Sequence, residues 1–346
     1  MDYSQKGKVT ISMYDYIKKI VEESLEYMQG IAKTPAGGHL FMTNPDCKKL
    51  LEKTAQLFHH ITAKLLYLCR RTRQDIQTAV EFLCTRVNSQ DTDDYKRLAH
   101  IRQYPRETHN LMLTIELDDH PNWWVDSSYA VHLNMLSHSG IVMMLGKGTM
   151  YSSSCKQKLN TKSSTEAELV GIDDAMGQVL WTRHFLASQG EYVHTTTIYQ
   201  DNKSTIFLAE NRKASSSKHM WHLNMRYYFV TDQIKKGHVK FAFCPTQDML
   251  ADFFTKPLQG ALFMHMCKRI LNLPARKIAS VHRSVLEQCV AHSNKGQDKI
   301  IMIKENDGNA KADKTHGQES EYDKEKNADV HKRRFRDGRA SARPSS

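Results

Sequence analysis

Carboxylates are the side chains of this sequence best placed to do chemistry. The stretch SSTEAELVGIDDA, residues 163–175, carries Glu166 and Glu168 in what reads as the first turns of a helix. At helical spacing the face of Glu168 continues through Ile172, Ala175 and Val179, with Leu169 alongside. The face of Glu166 runs through Val170, Asp173 and Gly177 and is more polar. Glu168 is therefore expected to point towards the protein and Glu166 towards water. An inward carboxylate costs several kcal/mol unless a cation meets it. That cation is either a buried Lys or Arg or a divalent metal held by further carboxylates.

Three more acids stand at suitable places. Asp126 lies midway along a strand-like run, after the apolar pair Trp124 and Val125; Asp201 ends the run TTTIYQD just before a helix start; Asp252 lies in the first turns of a helix after Pro245. If the strands of Asp126 and Asp201 are neighbours, the two meet at a split in the sheet, where α/β folds place ligands. Glu168 and Asp252 then reach the same spot from helices. Four carboxylates at one point repel each other and raise their own pKa values unless cations bind. Hard oxygen donors without His or Cys indicate Mg2+ or Mn2+. Two such ions can activate a water and receive a leaving oxygen, which is the chemistry of phosphodiester cleavage.

The elements that must position these acids differ in texture along the chain. Residues 1–118 read as mainly helical. FHHITAKLLYLCRRT puts Phe58, Ile61, Leu65 and Leu68 on one stripe, and RQDIQTAVEFLCTRV adds Ile76, Ala79, Val80, Leu83 and Val87. DDYKRLAHIRQY supplies a shorter helix that Asp93 or Asp94 could cap. Arg70, Arg71, Arg73, Lys96 and Arg97 are assigned to the opposite faces, as a solvated or a phosphate-tracking surface. Residues 119–275 read as three strands, a long helix, a strand, helices, a strand and a final helix starting near Asp248. That order predicts a mixed sheet with helices on its faces. Residues 276–346 lose the apolar rhythm and read as a basic, disordered tail.

Composition narrows the function classes. Lys plus Arg number 49 against 38 Asp plus Glu, a formal charge of +11, which favours polyanionic partners. No apolar run approaches the roughly 20 residues that span a bilayer, and MDYSQKGKVTIS lacks the apolar core of a signal peptide. The seven scattered cysteines form no C-x-x-C pair and read as buried or incidental thiols of a reduced, intracellular protein.

Taken together, WWVDSSYAVH, SHSGIVMMLGKGTMYSSSCKQKLNTKSSTEAELVG, WTRHFL, YQDNKSTIFL, HLNMRYYFV and CPTQDMLADFFTKPLQG resemble the ribonuclease H domain of copia-type retrotransposon Pol polyproteins. The preceding helical zone resembles the C-terminal, thumb- and connection-like part of the same polyprotein's reverse transcriptase. The resemblance runs from about Gly7 to Leu273. It implies a ribonuclease H-like mixed five-stranded sheet and hydrolysis of the RNA strand of RNA–DNA hybrids, with two Mg2+ or Mn2+ ions. It also implies that Asp126, Glu168, Asp201 and Asp252 are both the catalytic and the metal-binding set. Asp126 would bridge both ions, Glu168 and Asp201 would complete one, and Asp252 would hold the other. Asp248 is the rival to Asp252 and is read as a helix-starting residue.

Cellular and retroviral ribonucleases H place a His before the last Asp; FCPTQDML has none, as is usual for copia-type domains. Pro105 and Glu107 stand where relatives typically carry Leu and Gly, and Pro105 is expected to stop its helix early. No Tyr-x-Asp-Asp motif is present, so this stretch of chain is not expected to copy nucleic acid. Candidates for hybrid contact are Lys156, Lys158 and Lys162 before the Glu168 helix, and Lys203, Lys213, Lys218, His219 and Arg226 after Asp201. Ser127 and Asn202 stand beside two of the acids. The remainder of a reverse transcriptase is a further candidate partner. The rival readings are a nuclease-dead remnant that only binds nucleic acid, and a piece that works only packed on a polymerase subunit.

Overall fold

The computed structural model describes residues 1–23, 30–211 and 221–274. The tail assigned to residues 276–346, and Lys213, Lys218 and His219, lie outside the described residues. Strand β1 (Lys8–Ile11) and helices α1 (Tyr14–Glu22), α2 (Glu52–Arg71), α3 (Gln77–Cys84) and α4 (Thr92–Glu107) come first. Then follow β2 (Leu113–Ser128), β3 (His138–Lys147), β4 (Tyr151–Lys156), α5 (Ser164–Ser188), β5 (Thr196–Gln200), α6 (Lys203–Asn211), α7 (Trp221–Lys235) and β6 (Val239–Phe243). Two short pieces, α8 (Asp252–Thr255) and α9 (Gly260–Leu271), close the described chain. Among the described residues no helix is long and apolar enough to cross a membrane.

The sheet runs β4-β3-β2-β5-β6, with β1 added against β2. β2 to β4 form an antiparallel meander, whereas β5 and β6 join in parallel, β5 pairing Trp123 with Ile198 and Trp124 with Tyr199. The expected mixed five-stranded sheet is therefore present, and the strands of Asp126 and Asp201 are neighbours. β2 is long and irregular. Its first part pairs with β1, its register with β3 shifts between Leu117 and Asn122, and its second part carries Trp123 to Ser128.

Alternation along β2 assigns its two faces to two cores. Trp123 and Val125 join Ile141, Met143, Ile172, Ala175, Met176 and Val179 beneath α5. On the other face Val142 and Met144 join the apolar stripes of α2, α3 and α4 together with Phe253, Phe254 and Phe263. Phe58, Ile61, Leu65, Leu68, Ile76, Ala79, Val80 and Leu83 are all buried there, as their spacing predicts. The six described cysteines are unpaired.

Four local expectations are corrected. Helix α4 is capped by Asp91, which accepts the Asp93 and Asp94 N–H groups, while Asp94 at the third helical position accepts the Asp91 N–H. Helix α4 also runs past Pro105 to Glu107: Tyr104 and Pro105 are buried in the core, and Thr108 closes the last turn onto the Tyr104 carbonyl at 3.1 Å. Packing there outweighs the one lost backbone bond. Arg73 is not on a surface face. It is fully buried, paired with Asp75 at 2.8 Å, and donates to the Thr108 carbonyl and hydroxyl. Finally, no continuous helix starts near Asp248. A 3-10 turn over Thr246–Asp248 ends at Met249 in extended conformation, α8 follows, and Lys256 is again extended ahead of Pro257.

Candidate active site

β2 and β5 are parallel, so their carboxyl ends open at the same edge of the sheet, and Asp126 and Asp201 sit there. Helix α5 crosses one face of β2. Its N-cap Ser163 accepts the Glu166 N–H, and the Glu166 carboxylate reaches back to the Lys162 N–H at 2.8 Å, so Glu166 secures the helix start. Glu168, two residues on, is buried. One turn later, Gly171 lies against the strand: a Cβ there would stand 2.4 Å from the Ser127 hydroxyl and 3.2 Å from that of Ser139. The missing side chain lets α5 approach closely enough for Glu168 to reach the strand ends. Oxygens of Asp126, Glu168 and Asp201 lie within 4.8 Å of one another.

Asp252 comes from the opposite face. It opens α8, which packs on β3 at Gly140, the residue paired with Asp126. A Cβ on Gly140 would meet the Ala251 carbonyl at 2.6 Å and Thr255 at 2.7 Å. From α8 the Thr255 hydroxyl donates to Asp126. The Lys256 ammonium lies 2.7 Å from Asp252 Oδ1 and 3.6 Å from Asp126 Oδ2. The rival Asp248 faces elsewhere, half-exposed and 3.3 Å from Arg269.

The electrostatics follow from this crowding. Burial, then the Asp126 charge, drives the Glu168 carboxyl well above its ordinary range. The same two causes raise Asp201 and push Asp252 up to about 7. Burial works to lower the Lys256 ammonium, but Asp126 and Asp252 outweigh it and raise its pKa. Such a cluster favours protons or cations. An all-oxygen donor set with no His or Cys among its members fits a hard divalent ion.

Several supporting residues escaped the sequence reading. Gln200 is fully buried and donates to Glu168 at 3.2 Å and to the Val125 carbonyl at 3.3 Å, while its own carbonyl accepts the Asp201 and Asn202 N–H groups. It alternates with Ile198 on an inward face of β5, and a polar residue there was the available signal. Thr255 and Lys256 follow Asp252 at helical spacing, which was theirs. Gln157, also buried, donates to Ser139 at 2.8 Å and to the Ala167 carbonyl at 2.9 Å, tying β3 to the start of α5.

The candidate nucleic-acid contacts are dispersed. The Ser127 hydroxyl is buried with those of Ser139 and Gln157's amide, while Asn202 accepts the Thr205 N–H as a helix cap does. Arg226 pairs with Asp173 and Asp174 of α5 at 2.6 and 3.0 Å. Lys156 is half-buried, and Lys158 and Lys162 are exposed before α5. Lys203 opens α6 with its ammonium over the Phe243 ring.

No protein-family profile matches the chain. Among known sequences it is 28% identical over 222 residues to a retrovirus-related Pol polyprotein from transposon RE2 of Arabidopsis thaliana, covering 62% of this chain and 15% of that one. It is 23% identical over 272 residues to the Pol polyprotein from transposon TNT 1-94 of Nicotiana tabacum, covering 77% and 20%. Among solved structures, a foamy viral protease-reverse transcriptase in complex with an RNA/DNA hybrid aligns with TM-score 0.38 and 12% identity over 71% of this chain and 28% of that one. LC11-RNase H1 in complex with an RNA/DNA hybrid aligns with TM-score 0.30 and 12% identity over 39% and 92%. The chain spans 15–20% of the length of the plant relatives it matches. Its homologues are retrovirus-related Pol polyproteins of copia-like plant transposons.

Proposed function

We propose that this chain is the ribonuclease H segment of a Pol-type polyprotein, a divalent-metal-dependent endonuclease that cuts the RNA strand of RNA–DNA hybrids. The observation that carries this reading is the convergence of Asp126, Glu168 and Asp201 within 4.8 Å at the strand ends, with Asp252 facing them across Asp126. Homology to Pol polyproteins supports it, and the activity is transferred on that basis.

In this reading Asp126, Glu168 and Asp201 would hold one divalent cation, and Asp126 with Asp252 would hold a second. Bound Mg2+ or Mn2+ would supply activation of a water and neutralisation of charge on the leaving oxygen. The chain's own residues fix the geometry. Gln200 holds the Glu168 carboxylate and anchors the backbone at Asp201, while Thr255 orients Asp126. Lys158 and Lys162 before α5, and Lys203 at the start of α6, are exposed cations close in sequence to Glu168 and Asp201 and would meet phosphates. No Tyr-x-Asp-Asp sequence accompanies them, so polymerisation falls outside the proposal.

The test is cleavage of a labelled RNA–DNA hybrid by the chain and by Asp126→Asn in millimolar Mg2+. The wild type should cut the RNA strand only, and the variant should lose about a hundredfold or more of that rate, as removal of a central charged group does. Equal cleavage by both proteins discredits the site. Absence of cleavage by the wild type, with binding that weakens in salt, favours a nuclease-dead remnant that retains hybrid binding.

A further inference from the structure

Lys256 is, among the described residues, the cation ion-paired with acids of this site. Among the described residues it is the ion-pair partner of both Asp126 and Asp252, and none reaches Glu168 or Asp201. Its backbone is extended after the last turn of α8, and its N–H bonds to the Asp252 carbonyl at 2.9 Å, so the stem starts directly behind Asp252. The ammonium then lies between Asp252 Oδ1 and Asp126 Oδ2, at 2.7 and 3.6 Å. A divalent ion shared by these two carboxylates would lie between the same side chains as the ammonium. Two cations that close repel strongly in a partly buried site. The side chain is 40% exposed, so a route into solvent is open to it, whereas both carboxylates are buried and fixed.

We propose that Lys256 is a displaceable internal cation: it holds the Asp126–Asp252 pair in the metal-free chain and is expelled when a divalent ion binds between them. It thereby sets the affinity of that ion and re-enters when the ion leaves. Lys256 is a positioning residue in this scheme, and the inference rests on the reading of the acids as a metal site. The site needs such a cation because its carboxylates are buried with few donors. Between metal-loaded periods, the ammonium bridges Asp126 and Asp252 and holds the two side chains together. The ion held by Asp126, Glu168 and Asp201 has no lysine lying between its carboxylates and should respond less to residue 256, through Asp126 and the longer-range charge felt at Asp201.

Calorimetric titration of Mg2+, and of Mn2+, into the full chain and into Lys256→Met and Lys256→Arg tests this. The weaker of the two binding events should become roughly tenfold tighter in Lys256→Met, the scale of one partly exposed ion pair, and should stay weak in Lys256→Arg. The tighter event should change by a smaller factor. In the wild type, Mg2+ should raise the rate at which an amine-acylating reagent modifies Lys256, read by mass spectrometry. That footprint needs no variant and decides the matter even if Lys256→Met fails to fold. Two Asp126-dependent affinities that do not differ between wild type and Lys256→Met, or acylation that Mg2+ slows, would overturn the displacement while leaving the metal site intact. No binding in wild type or in Lys256→Met would remove the metal reading and this inference with it.

Discussion

At the scale of single residues, the decisive contrast is between Glu166 and Glu168. Two positions apart on a helix, one becomes part of a cap and the other becomes a buried acid. Burial leaves Glu168, Asp201 and Asp252 with raised pKa values, so the metal-free site favours protons. For Asp252 the folded chain holds its proton up to about pH 7, whereas the unfolded chain releases it near the ordinary 3.8. The folded state therefore binds more protons across that window, and this group makes stability fall as pH rises from about 4 to 7. Divalent ions bind the charged form and reverse the trend. The difference in thermal midpoint between Mg2+ and EDTA should be small near pH 5 and grow towards pH 8. A difference independent of pH would show that Asp252 and its neighbours are not coupled to the metal.

At the scale of elements, the site depends on two close approaches, α5 on β2 at Gly171 and α8 on β3 at Gly140. Gly140→Ala puts a methyl against the Ala251 carbonyl and the Thr255 side chain, and backbone cannot yield as a flexible side chain can. It should cost about 1–3 kcal/mol in denaturant unfolding. It should also depress hybrid cleavage by moving Asp252 and Thr255 away from Asp126. A stability loss with full cleavage would show that α8 tolerates the shift.

A second device lies beside α8. His132 and His138 are buried in contact at 3.0 Å, and His138 faces the Ser154 hydroxyl at 2.8 Å. Burial, then the Lys156 charge, lowers His132 to about 4; burial, then His132, lowers His138 to about 3. Their folded values lie below the unfolded 6.5, so the stability they confer is complete above pH 6.5 and is lost as pH falls towards 4 and 3. The chain should unfold in acid with a slope that His138→Gln makes shallower, followed by circular dichroism in EDTA. An unchanged slope would place the acid lability elsewhere.

At the scale of the molecule, the helices of residues 1–118 and the sheet are joined by one apolar core. Leu65, Leu68, Val80 and Leu83 share it with Val142, Met144, Phe253 and Phe254, and β2 itself crosses position 118. Fragment 119–274 should therefore aggregate or lack cooperative unfolding, while 1–274 should melt as a unit; calorimetry of both decides it. A cooperative 119–274 would show that the helices are dispensable. The sequence by itself determined the amphipathic stripes, the order of strands and helices along the chain and the inward face of Glu168, because each of these is a local pattern of burial. The meeting of Asp126 and Asp201 was conditional on their strands being neighbours, and the parallel pairing of β2 with β5 supplied that condition. Only the tertiary structure decided where polar partners went. Arg73 left the surface for Asp75, Arg226 turned to α5, Asp91 took the cap, and Lys256 settled between two acids. The physical reason is that a charge is placed by whichever partner the folded chain brings within about 4 Å, and sequence spacing does not contain that distance.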